Sequence, residues 1–512
     1  MIFTPPRSLK TQLIVALVSG VVASAALPPL GIVVLILLLA VPFGLLMTSR
    51  TGAEALWLGW ATGFGWFAVS LWWISVAFVT SGGGHVLLIP FAALGMPLLL
   101  GLFWGIAFMV TAVIVPDPRQ RPFVLAITLS LAEYGRGFIL TGFPWNAPGM
   151  IFAQHEVMLA AASFFGLWGL SLVAILIPLL PLVIAAGRRG QAVVFLGLVM
   201  SVPLAGAAHL DQPDQQGETM GMTVRLVQPN ISQRDKWDRE KRPDHLVRLM
   251  QLSRQPGAVE PALIIWPETA FAGFVADDRP VFEAVTRHVT GGDTALITGA
   301  LDLDEQPQLA FYNSAVLVDR DGRQAASYAK QHLVPFGEYA PLRDLLPFVD
   351  ALAGPSDFSP GEGVARFAIS RDDGRQVSIL PLICYEAIFP AAVRRAAHAR
   401  AAGLMVTITN DAWFGDTIGP RQHLAMARMR SAELGLPMLR AANNGISAVI
   451  DSRGRLVDRL GYGREGVIDA RLGGMVETVY HRFGDRVFGI MVLVLVMMAV
   501  LQQGLTAVYS RR

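Results

Sequence analysis

Cys384 is the only cysteine among the 512 residues of this chain, which excludes intramolecular disulfides. Two other stretches carry ionisable side chains that could serve it. Glu268 lies in Trp-Pro-Glu-Thr-Ala, and Lys330 begins the run Lys-Gln-His-Leu-Val-Pro-Phe-Gly-Glu. A thiol, a carboxylate and an ammonium are the groups that covalent catalysis by an activated nucleophile requires.

The thiol of Cys384 needs help because a cysteine is mostly protonated near neutral pH. Glu268 can act as its base if a site of low polarity raises the pKa of the carboxyl. Lys330 would favour the thiolate and stabilise the oxyanion that forms when a carbonyl is attacked. His332 is the competing candidate for the base, since histidine usually has that role.

Each of these residues also has an ordinary structural interpretation. Cys384 has apolar neighbours and alone would be a buried strand cysteine. Glu268 follows Pro267 and could begin a helix, where a carboxylate suits the helix dipole. Lys330 alone would be a solvated surface lysine. The three together favour catalysis.

The composition indicates a membrane protein. Hydrophobic residues make up 53% of the chain and charged residues 16%, with a mean hydropathy of +0.49, whereas soluble domains carry about 25% charge. The net charge of +2 implies no nucleic-acid partner. Apolar residues concentrate at the two ends of the chain. We therefore predict a membrane domain at 1–211, a catalytic domain at 212–485 and a final helix and tail at 486–512.

Eight segments are apolar and long enough to be considered as spans, which need about 20 residues. The fifth is the weakest because it contains Glu133 and Arg136, whose i,i+3 spacing allows them to pair. The predicted spans are 11–27, 31–47, 55–79, 86–115, 122–140, 157–186, 191–210 and 487–509.

The distribution of lysine and arginine predicts the orientation of these spans. Basic residues in the short loops fall on one side if all eight spans are real, and the uncharged loop 81–84 lies on the other. Both termini are then cytoplasmic and residues 212–485 lie outside the cytoplasm. Arg482 and Arg486 are exceptions to this rule. A cleaved signal peptide is the alternative for the N-terminus, but a second apolar run follows at once.

Residues 220–480 alternate short β-branched runs with helical patterns, which predicts an α/β domain. Strands are expected at 222–228, 262–266, 294–299, 313–319, 376–384, 404–409 and 448–451. Glu268 and the pair Asn410 and Asp411 follow strand ends, and Cys384 is the last residue of its own strand; functional residues of such sheets emerge at these places. For Asn410 and Asp411 we favour helix capping over substrate contact.

Three motifs resemble the Glu-Lys-Cys triad of the nitrilase, or carbon–nitrogen hydrolase, superfamily. They are Trp-Pro-Glu at Glu268, Lys-x-His-Leu-Val-Pro-Phe-Gly-Glu from Lys330, and Cys-Tyr-Glu at Cys384. Several spans before such a domain and one after it resemble the membrane-embedded branch of that superfamily, the apolipoprotein N-acyltransferases. The resemblance covers almost the whole chain.

The resemblance implies a multi-span helical membrane domain and an α-β-β-α sandwich on the periplasmic side of a bacterial inner membrane. It implies that a phospholipid gives an acyl chain to the cysteine as a thioester. The chain then passes to the α-amino group of the S-diacylglyceryl-cysteine of an apolipoprotein, the last step of lipoprotein maturation.

By motif, Cys384 would be the nucleophile, Glu268 the general base and Lys330 the oxyanion stabiliser. The supporting positions that the resemblance implies are Glu338, Tyr385, Glu386 and Trp237. The expected partners are the phospholipid donor, the apolipoprotein acceptor and the bilayer, and the expected state is a monomer. Exposed loops that could hold acyl chains are 412–415 and 143–145, for which interfacial anchoring or core packing is an equal alternative.

No Cys/His spacing typical of zinc and no phosphate-binding or dinucleotide motif is present, so neither a metal nor a nucleotide cofactor is expected. Two rival functions remain. A membrane-tethered amidase would use the same triad with water as acceptor, although a soluble substrate needs no such anchor. A transporter usually carries several ionisable groups within its helices, and here only Glu133 and Arg136 qualify.

Overall fold

The computed structural model describes residues 8–80, 89–212, 221–257, 260–290, 294–304, 309–341, 357–363, 367–370 and 374–509. The chain forms two compact units. The helical unit comprises Met1–Ser75, Leu88–Gln212 and Thr478–Arg512, and the catalytic unit comprises Val76–Leu87 and Pro213–Glu477. Arg7, the loop 81–84 and the last two arginines, on which the predicted orientation partly depends, lie outside the described residues.

Up to residue 212, the described part of the chain forms helices and short 3₁₀ turns. Of these helices, α4 belongs to the catalytic unit and the others to the helical unit. They are α1 (Leu9–Ala23), α2 (Ala40–Leu46), α3 (Gly52–Ser70), α4 (Ala77–Thr80), α5 (Ile89–Ile114), α6 (Arg121–Arg136), α7 (Glu156–Ala160), α8 (Ala162–Ala185) and α9 (Arg189–Leu210).

The number of long apolar helices is smaller than the eight spans predicted. Four stretches of the described chain are long and apolar enough to cross a membrane: Leu9–Ala26, Ala93–Ile114, Ala162–Ala185 and Arg189–Leu210. A fifth is added if the bent pair Gly52–Ser70 and Trp72–Thr80 is one span. Hydropathy alone overestimated the number because it does not register where a helix breaks.

Two of the predicted spans show the physical reason. Segment 31–47 begins as the 3₁₀ helix Val33–Leu39 and continues as the short α2, so the apolar helix runs only from Val33 to Leu46. Segment 122–140 forms α6, which is 16 residues long. Beyond α6, Leu140 and Thr141 have positive φ angles, which a helix cannot contain.

The ion pair predicted in α6 is confirmed. Arg136 Nη2 lies 2.6 Å from Glu133 Oε2, and both side chains are buried. Glu133 also accepts a hydrogen bond from Trp104 Nε1 at 2.7 Å, and Arg136 donates to the carbonyl of Trp145 at 3.0 Å. The pair is therefore fully hydrogen-bonded, which is the condition under which buried charges are tolerated.

Helices α1 and α3 approach closely through glycines on both sides of their contact. A Cβ atom on Gly20 would lie 2.1 Å from the carbonyl oxygen of Thr62, and one on Gly65 would lie 2.3 Å from that of Leu17. Small residues let two helix backbones come together in this way. The contact leaves no room for any other residue at either position.

The catalytic unit contains two sheets, each with three parallel strands at its centre. Their orders are β13-β1-β2-β4-β5-β6, with β3 paired to β4, and β12-β11-β10-β9-β8-β7. The strands are β1 (Thr223–Gln228), β2 (Leu263–Ile265), β3 (Phe271–Phe274), β4 (Ala295–Asp304), β5 (Ala310–Val318), β6 (Gln324–Ala329), β7 (Phe367–Ser370), β8 (Gln376–Ile383), β9 (Leu404–Thr409), β10 (Met438–Ala442), β11 (Ser447–Ile450), β12 (Leu456–Leu460) and β13 (Gly466–Arg471).

The two sheets pack face to face around one core. Leu226, Ile265 and Ile297 of the first sheet share a buried cluster with Val406 and Leu439 of the second. Helices cover the outer faces: α10 (Arg242–Ser253) and α11 (Arg279–Val289) on the first sheet, and α12 (Pro390–Arg400) and α13 (Ile418–Leu434) on the second. The α/β prediction is confirmed, and the layers follow the order α-β-β-α. After this unit the chain forms α14 (Val479–Phe483) and α15 (Arg486–Tyr509).

The short helix α4 packs within the catalytic unit, on the turn that follows β9. Thr80 Oγ1 donates a hydrogen bond to the carbonyl of Trp413 at 3.3 Å. A Cβ atom on Gly415, whose φ is +60°, would lie 3.1 Å from Val76 Cγ1. A segment that precedes the catalytic sequence by more than a hundred residues thus completes one of its turns.

We expect Gly65→Val to destabilise the helical unit, because the new side chain would displace the α1 backbone. Overpacking of this kind costs about 1–3 kcal/mol, which corresponds to a fall in melting temperature of roughly 5 °C. The matched control is Gly197→Val in α9, where an added Cβ has no neighbour within 4 Å. Thermal unfolding of the two purified variants checks this, and equal melting temperatures would contradict the close contact of α1 and α3.

Candidate active site

The three residues of the predicted triad follow three strand ends. Cys384 directly follows β8, Lys330 directly follows β6, and Glu268 lies three residues beyond β2. All are buried, with exposed fractions of 8%, 1% and 6%. Glu268 is positioned by a close passage over β4: a Cβ on Gly299 would lie 2.3 Å from the backbone nitrogen of Thr269, so only glycine fits there.

Lys330 lies between two carboxylates. Its Nζ is 2.8 Å from Glu338 Oε1 and 3.8 Å from Glu268 Oε1. Asn313 Nδ2 donates to both carboxylates, at 2.8 Å to Glu268 and 3.1 Å to Glu338. The second oxygen of Glu338 accepts the backbone N–H of Val334 at 2.8 Å. This network fixes the positions of the ammonium and of Glu268.

The pKa values follow from this arrangement. Burial by itself disfavours the Lys330 ammonium, but Glu338 and Glu268 outweigh it, so the pKa of Lys330 is raised and the side chain stays charged. Burial and the negative charge of Glu268 raise the pKa of Cys384 to about 12, with Lys330 acting in the opposite direction. Cys384 is therefore a thiol at neutral pH, and its proton needs an acceptor such as Glu268.

Cys384 has a φ of +49°, in the left-handed region that residues other than glycine rarely adopt. Glu386 stabilises this turn and links it to the Lys330 segment. Its Oε2 accepts the N–H of Ile383 at 2.8 Å, and its Oε1 accepts the N–H of Gln331 and the hydroxyl of Tyr328, each at 2.8 Å. One buried carboxylate thus holds the nucleophile turn and the lysine loop together.

A second buried group lies behind the nucleophile, and no motif in the sequence indicates it. His423 on α13 has Nε2 3.1 Å from the carbonyl oxygen of Cys384 and Nδ1 3.0 Å from Asp411 Oδ1. Arg440 Nη2 donates to Asp411 Oδ2 at 2.7 Å and lies 3.2 Å from His423 Nδ1. Burial and the neighbouring Arg440 lower the pKa of His423. In the tautomer with the proton on Nε2, the neutral ring donates to the Cys384 carbonyl and its Nδ1 accepts from Arg440 Nη2.

The capping role expected for Asn410 and Asp411 is wrong. Neither side chain caps the 3₁₀ turn Asp411–Phe414. Asp411 has Arg440 as partner, which lowers its pKa despite burial. Asn410 donates to Gln233 at 2.7 Å and accepts from Asn443 at 3.0 Å. The only sequence signal for these contacts was their position after a strand end, since the partners lie far away in the chain.

One set of described side chains could offer ligand atoms to a metal ion: the atoms of Cys384, Asp411 and His423 lie within 4.8 Å of one another. The Arg440 guanidinium contacts both Asp411 and His423. Because this cation already neutralises Asp411, a metal ion at the same place would meet electrostatic repulsion.

The remaining predicted residues are distributed around this core. The ring of His332, the alternative base, stacks on Phe389 with a centroid distance of 3.7 Å and meets the edge of Tyr385. Tyr385 is buried, which raises the pKa of its hydroxyl. The side chains of Trp237 and Phe336 are 48% and 55% exposed. Two large apolar side chains near the motifs thus face solvent.

The two loops proposed for acyl chains differ. Trp145 of loop 143–145 is buried in the helical unit and packs against Trp73, with a ring-centroid distance of 4.8 Å, so core packing is the correct interpretation there. In loop 412–415, Trp413 and Phe414 are partly exposed.

Two family models match parts of this chain. Residues 223–479 match the carbon–nitrogen hydrolase family model, and residues 19–180 match the apolipoprotein N-acyltransferase N-terminal domain. Among solved structures, the chain is similar to an amidase from Nesterenkonia sp., with 22% identity, coverage of 52% of this chain and 94% of that chain, and a TM-score of 0.38.

Three curated relatives are similar over most of their length, and each carries the name apolipoprotein N-acyltransferase. The protein of Rhodopseudomonas palustris is 35% identical over 96% of this chain and 95% of its own. That of Caulobacter vibrioides is 36% identical over 94% and 92%, and that of Rhizobium meliloti is 38% identical over 82% and 80%.

The two-sheet fold and the match of residues 223–479 define a member of the carbon–nitrogen hydrolase family. Within that class, the match of residues 19–180 and the three curated relatives all indicate one family. The chain belongs to the apolipoprotein N-acyltransferase family.

We expect Glu386→Gln to destabilise the catalytic unit. An amide has one acceptor oxygen, so the N–H of Ile383 or the donors from Tyr328 and Gln331 would lose their partner. Leaving buried donors unsatisfied costs about 1–3 kcal/mol. Thermal unfolding of the purified variant measures this, with the exposed Glu283→Gln as matched control. A melting temperature equal to that of the control would refute the linking role of Glu386.

Proposed function

We propose that this chain transfers an acyl chain from a phospholipid to the α-amino group of the N-terminal S-diacylglyceryl-cysteine of apolipoproteins, through a thioester on Cys384. One observation carries the proposal. In a chain of the apolipoprotein N-acyltransferase family, a buried cysteine, a carboxylate and an ammonium emerge from three strand ends of one unit.

In the first half-reaction, Glu268 accepts the thiol proton and Cys384 Sγ attacks an ester carbonyl of the phospholipid. Lys330 stabilises the oxyanion of the tetrahedral intermediate, since an N–H donor in a dry site is effective there. The C–O bond breaks, and the lysophospholipid oxygen leaves with the proton held by Glu268. The product is a thioester on Cys384.

In the second half-reaction, the α-amino group of the acceptor attacks the thioester carbonyl. Glu268 takes a proton from the attacking amine, and Lys330 stabilises the second oxyanion. The C–S bond breaks, and the leaving sulfur takes the proton from Glu268. An amide forms, and the thiol of Cys384 is restored. Splitting the transfer into two steps is the advantage of covalent catalysis.

The supporting residues have distinct roles in this scheme. Glu338 fixes Lys330 through the 2.8 Å contact, while Asn313 keeps Glu268 in place. Glu386 holds the nucleophile turn. Trp237 and Tyr385 lie next to Lys236 and Cys384 in sequence, and the exposed indole of Trp237 suits contact with a lipid chain.

The lysine and arginine pattern supports the proposed location. Counting the bent pair Gly52–Ser70 and Trp72–Thr80 as one span gives five spans before residue 213, and an odd number puts the catalytic unit on the opposite side from the N-terminus. The helical unit lies in the bacterial inner membrane, and the catalytic unit lies in the periplasm with both termini in the cytoplasm. The domain division 1–211, 212–485 and 486–512, the monomeric state and the phospholipid donor belong to the same proposal. The compact units differ from this division in assigning Val76–Leu87 to the catalytic unit and beginning the last helical segment at Thr478.

The first test is intact-protein mass spectrometry after incubation with phospholipid. We expect a mass increase of one acyl chain on the wild type and none on Cys384→Ser, because Cys384 is the only thiol. Hydroxylamine should remove the adduct, and a diacylglyceryl-cysteine peptide should discharge it with formation of an amide. Glu268→Gln should form the adduct at least about 100-fold more slowly, because it lacks the base.

The controls separate transfer from hydrolysis. Glu283→Gln changes an exposed carboxylate in the same unit and should acylate normally. An adduct that water discharges as fast as the peptide does would favour a tethered hydrolase. Absence of any adduct while simple amides are cleaved would contradict acyl transfer outright.

Topology has its own test, since replacing Cys384 by serine removes every thiol from the chain. In that background, Asp458→Cys places a thiol on an exposed position of β12, and Lys10→Cys places one near the start of α1. A membrane-impermeant maleimide applied to spheroplasts should label the first variant fully. It should label the second only after permeabilisation, and the reverse pattern would overturn the orientation.

A further inference from the structure

A second lysine is buried beside the proposed general base, and no catalytic motif includes it. Lys236 is 4% exposed. Its Nζ donates a hydrogen bond to the backbone carbonyl of Glu268 at 2.9 Å. The next residue, Trp237, is half exposed. A lysine is rarely buried without a paired charge, so its presence at the backbone of the base requires an explanation.

The loop that carries Lys236 is held firmly by strand ends of the second sheet. Asn443 accepts the N–H of Ile231 at 3.2 Å and donates to the carbonyl of Ile231 at 2.8 Å. Gln233 accepts from Asn410 at 2.7 Å. The N–H of Lys236 donates to Ser232 at 3.0 Å and closes a turn. The loop is therefore anchored on the sheet that carries Cys384, while the Lys236 ammonium lies at the strand end that carries Glu268.

The charges beside Glu268 balance only if Lys236 is counted. Glu386, the other buried carboxylate near Lys330, interacts with the Arg400 guanidinium, so this pair adds no net charge. Glu268 and Glu338 are two carboxylates, and Lys330 is one ammonium lying between them. Asp411 nearby is neutralised by Arg440. With Lys236 charged, the cluster is neutral. It stays neutral when the proton moves from Cys384 to Glu268, whereas without Lys236 a thiolate would form in a net negative environment.

We propose that Lys236 is a positioning residue for acyl transfer: it holds the backbone of Glu268 and supplies the positive charge that offsets the Cys384 thiolate. This role rests on the proposed function only in taking Glu268 as the base and Cys384 as the nucleophile. Lys330 is then available to stabilise the oxyanion, while Lys236 acts before the substrate binds. Lys330 thus serves the oxyanion, and Lys236 serves the Glu268 backbone and the Cys384 thiolate.

The environment of Lys236 gives the proposal a pH signature. Burial lowers the pKa of Lys236 to about 8, against the opposing influence of Glu268 and Cys384. The charged groups that act on Lys236 are Glu268 and Cys384, and those around Cys384 include Glu268, Lys330 and Asp411 with its partners Arg440 and His423. As the pH rises through about 8, Lys236 loses its proton and with it the support for the thiolate.

The experiment measures alkylation of Cys384 by iodoacetamide between pH 6 and 9.5 on the purified full-length protein. The single cysteine makes the label specific, and no lipid is needed. We expect Lys236→Met to react at least about tenfold more slowly at pH 7, since one unit of thiol pKa corresponds to a tenfold change in thiolate. Lys236→Arg should retain the wild-type rate at pH 7 and exceed it above pH 8, because guanidinium stays charged.

Lys241→Met is the matched control, because Lys241 lies five residues away and is exposed, paired with Asp235. It should alkylate like the wild type. Lys236→Met reacting at the wild-type rate, or Lys236→Arg following the wild-type profile above pH 8, would overturn the proposal. If Lys236→Met does not fold, as its melting temperature would reveal, the Lys236→Arg profile decides. A wild type that alkylates as expected but accepts no acyl chain would refute the proposed function and leave this role intact.

Discussion

The site depends on the burial of the Lys330 ammonium between Glu268 and Glu338. A lysine that is 1% exposed is tolerated only because two carboxylates surround it. This requirement constrains the residues around Lys330. Glu338 must return to the site eight residues after Lys330, and its second oxygen accepts the Val334 N–H, which shapes the intervening loop. Asn313 on the neighbouring strand then bridges both carboxylates.

The same logic explains why the nucleophile is so extensively held. Cys384 has a left-handed φ, and such a conformation persists only where its surroundings determine it. Glu386 fixes the backbone N–H of Ile383, and His423 fixes the backbone carbonyl of Cys384. Both supports are themselves buried and hydrogen-bonded. The thiol position is thus set by the backbone around it, which leaves Sγ available for a carbonyl.

Local patterns predicted much of this. Strand periodicity located the main strands, and the ends of those strands located Glu268 and Cys384, because the edge of a parallel sheet gathers functional groups. The contacts of His423, Arg440 and Lys236 could not be found in this way, since each depends on residues distant in the chain. The number of spans was overestimated for another reason. Hydropathy records apolar character, but 3₁₀ geometry in 33–39 and the end of α6 at Arg136 interrupt the helices.

The position of helix α4 shows that the two units are interleaved in sequence. The catalytic unit is discontinuous in sequence, because Val76–Leu87 belongs to it while the residues on either side belong to the helical unit. The chain therefore passes between the units four times. A proteolytic fragment that starts at residue 213 would lack a piece of its own turn at Trp413 and Gly415. In this chain, the catalytic unit is thus not a self-contained module attached at one end, because its turn at Trp413 and Gly415 needs a segment that lies within the helical part of the sequence.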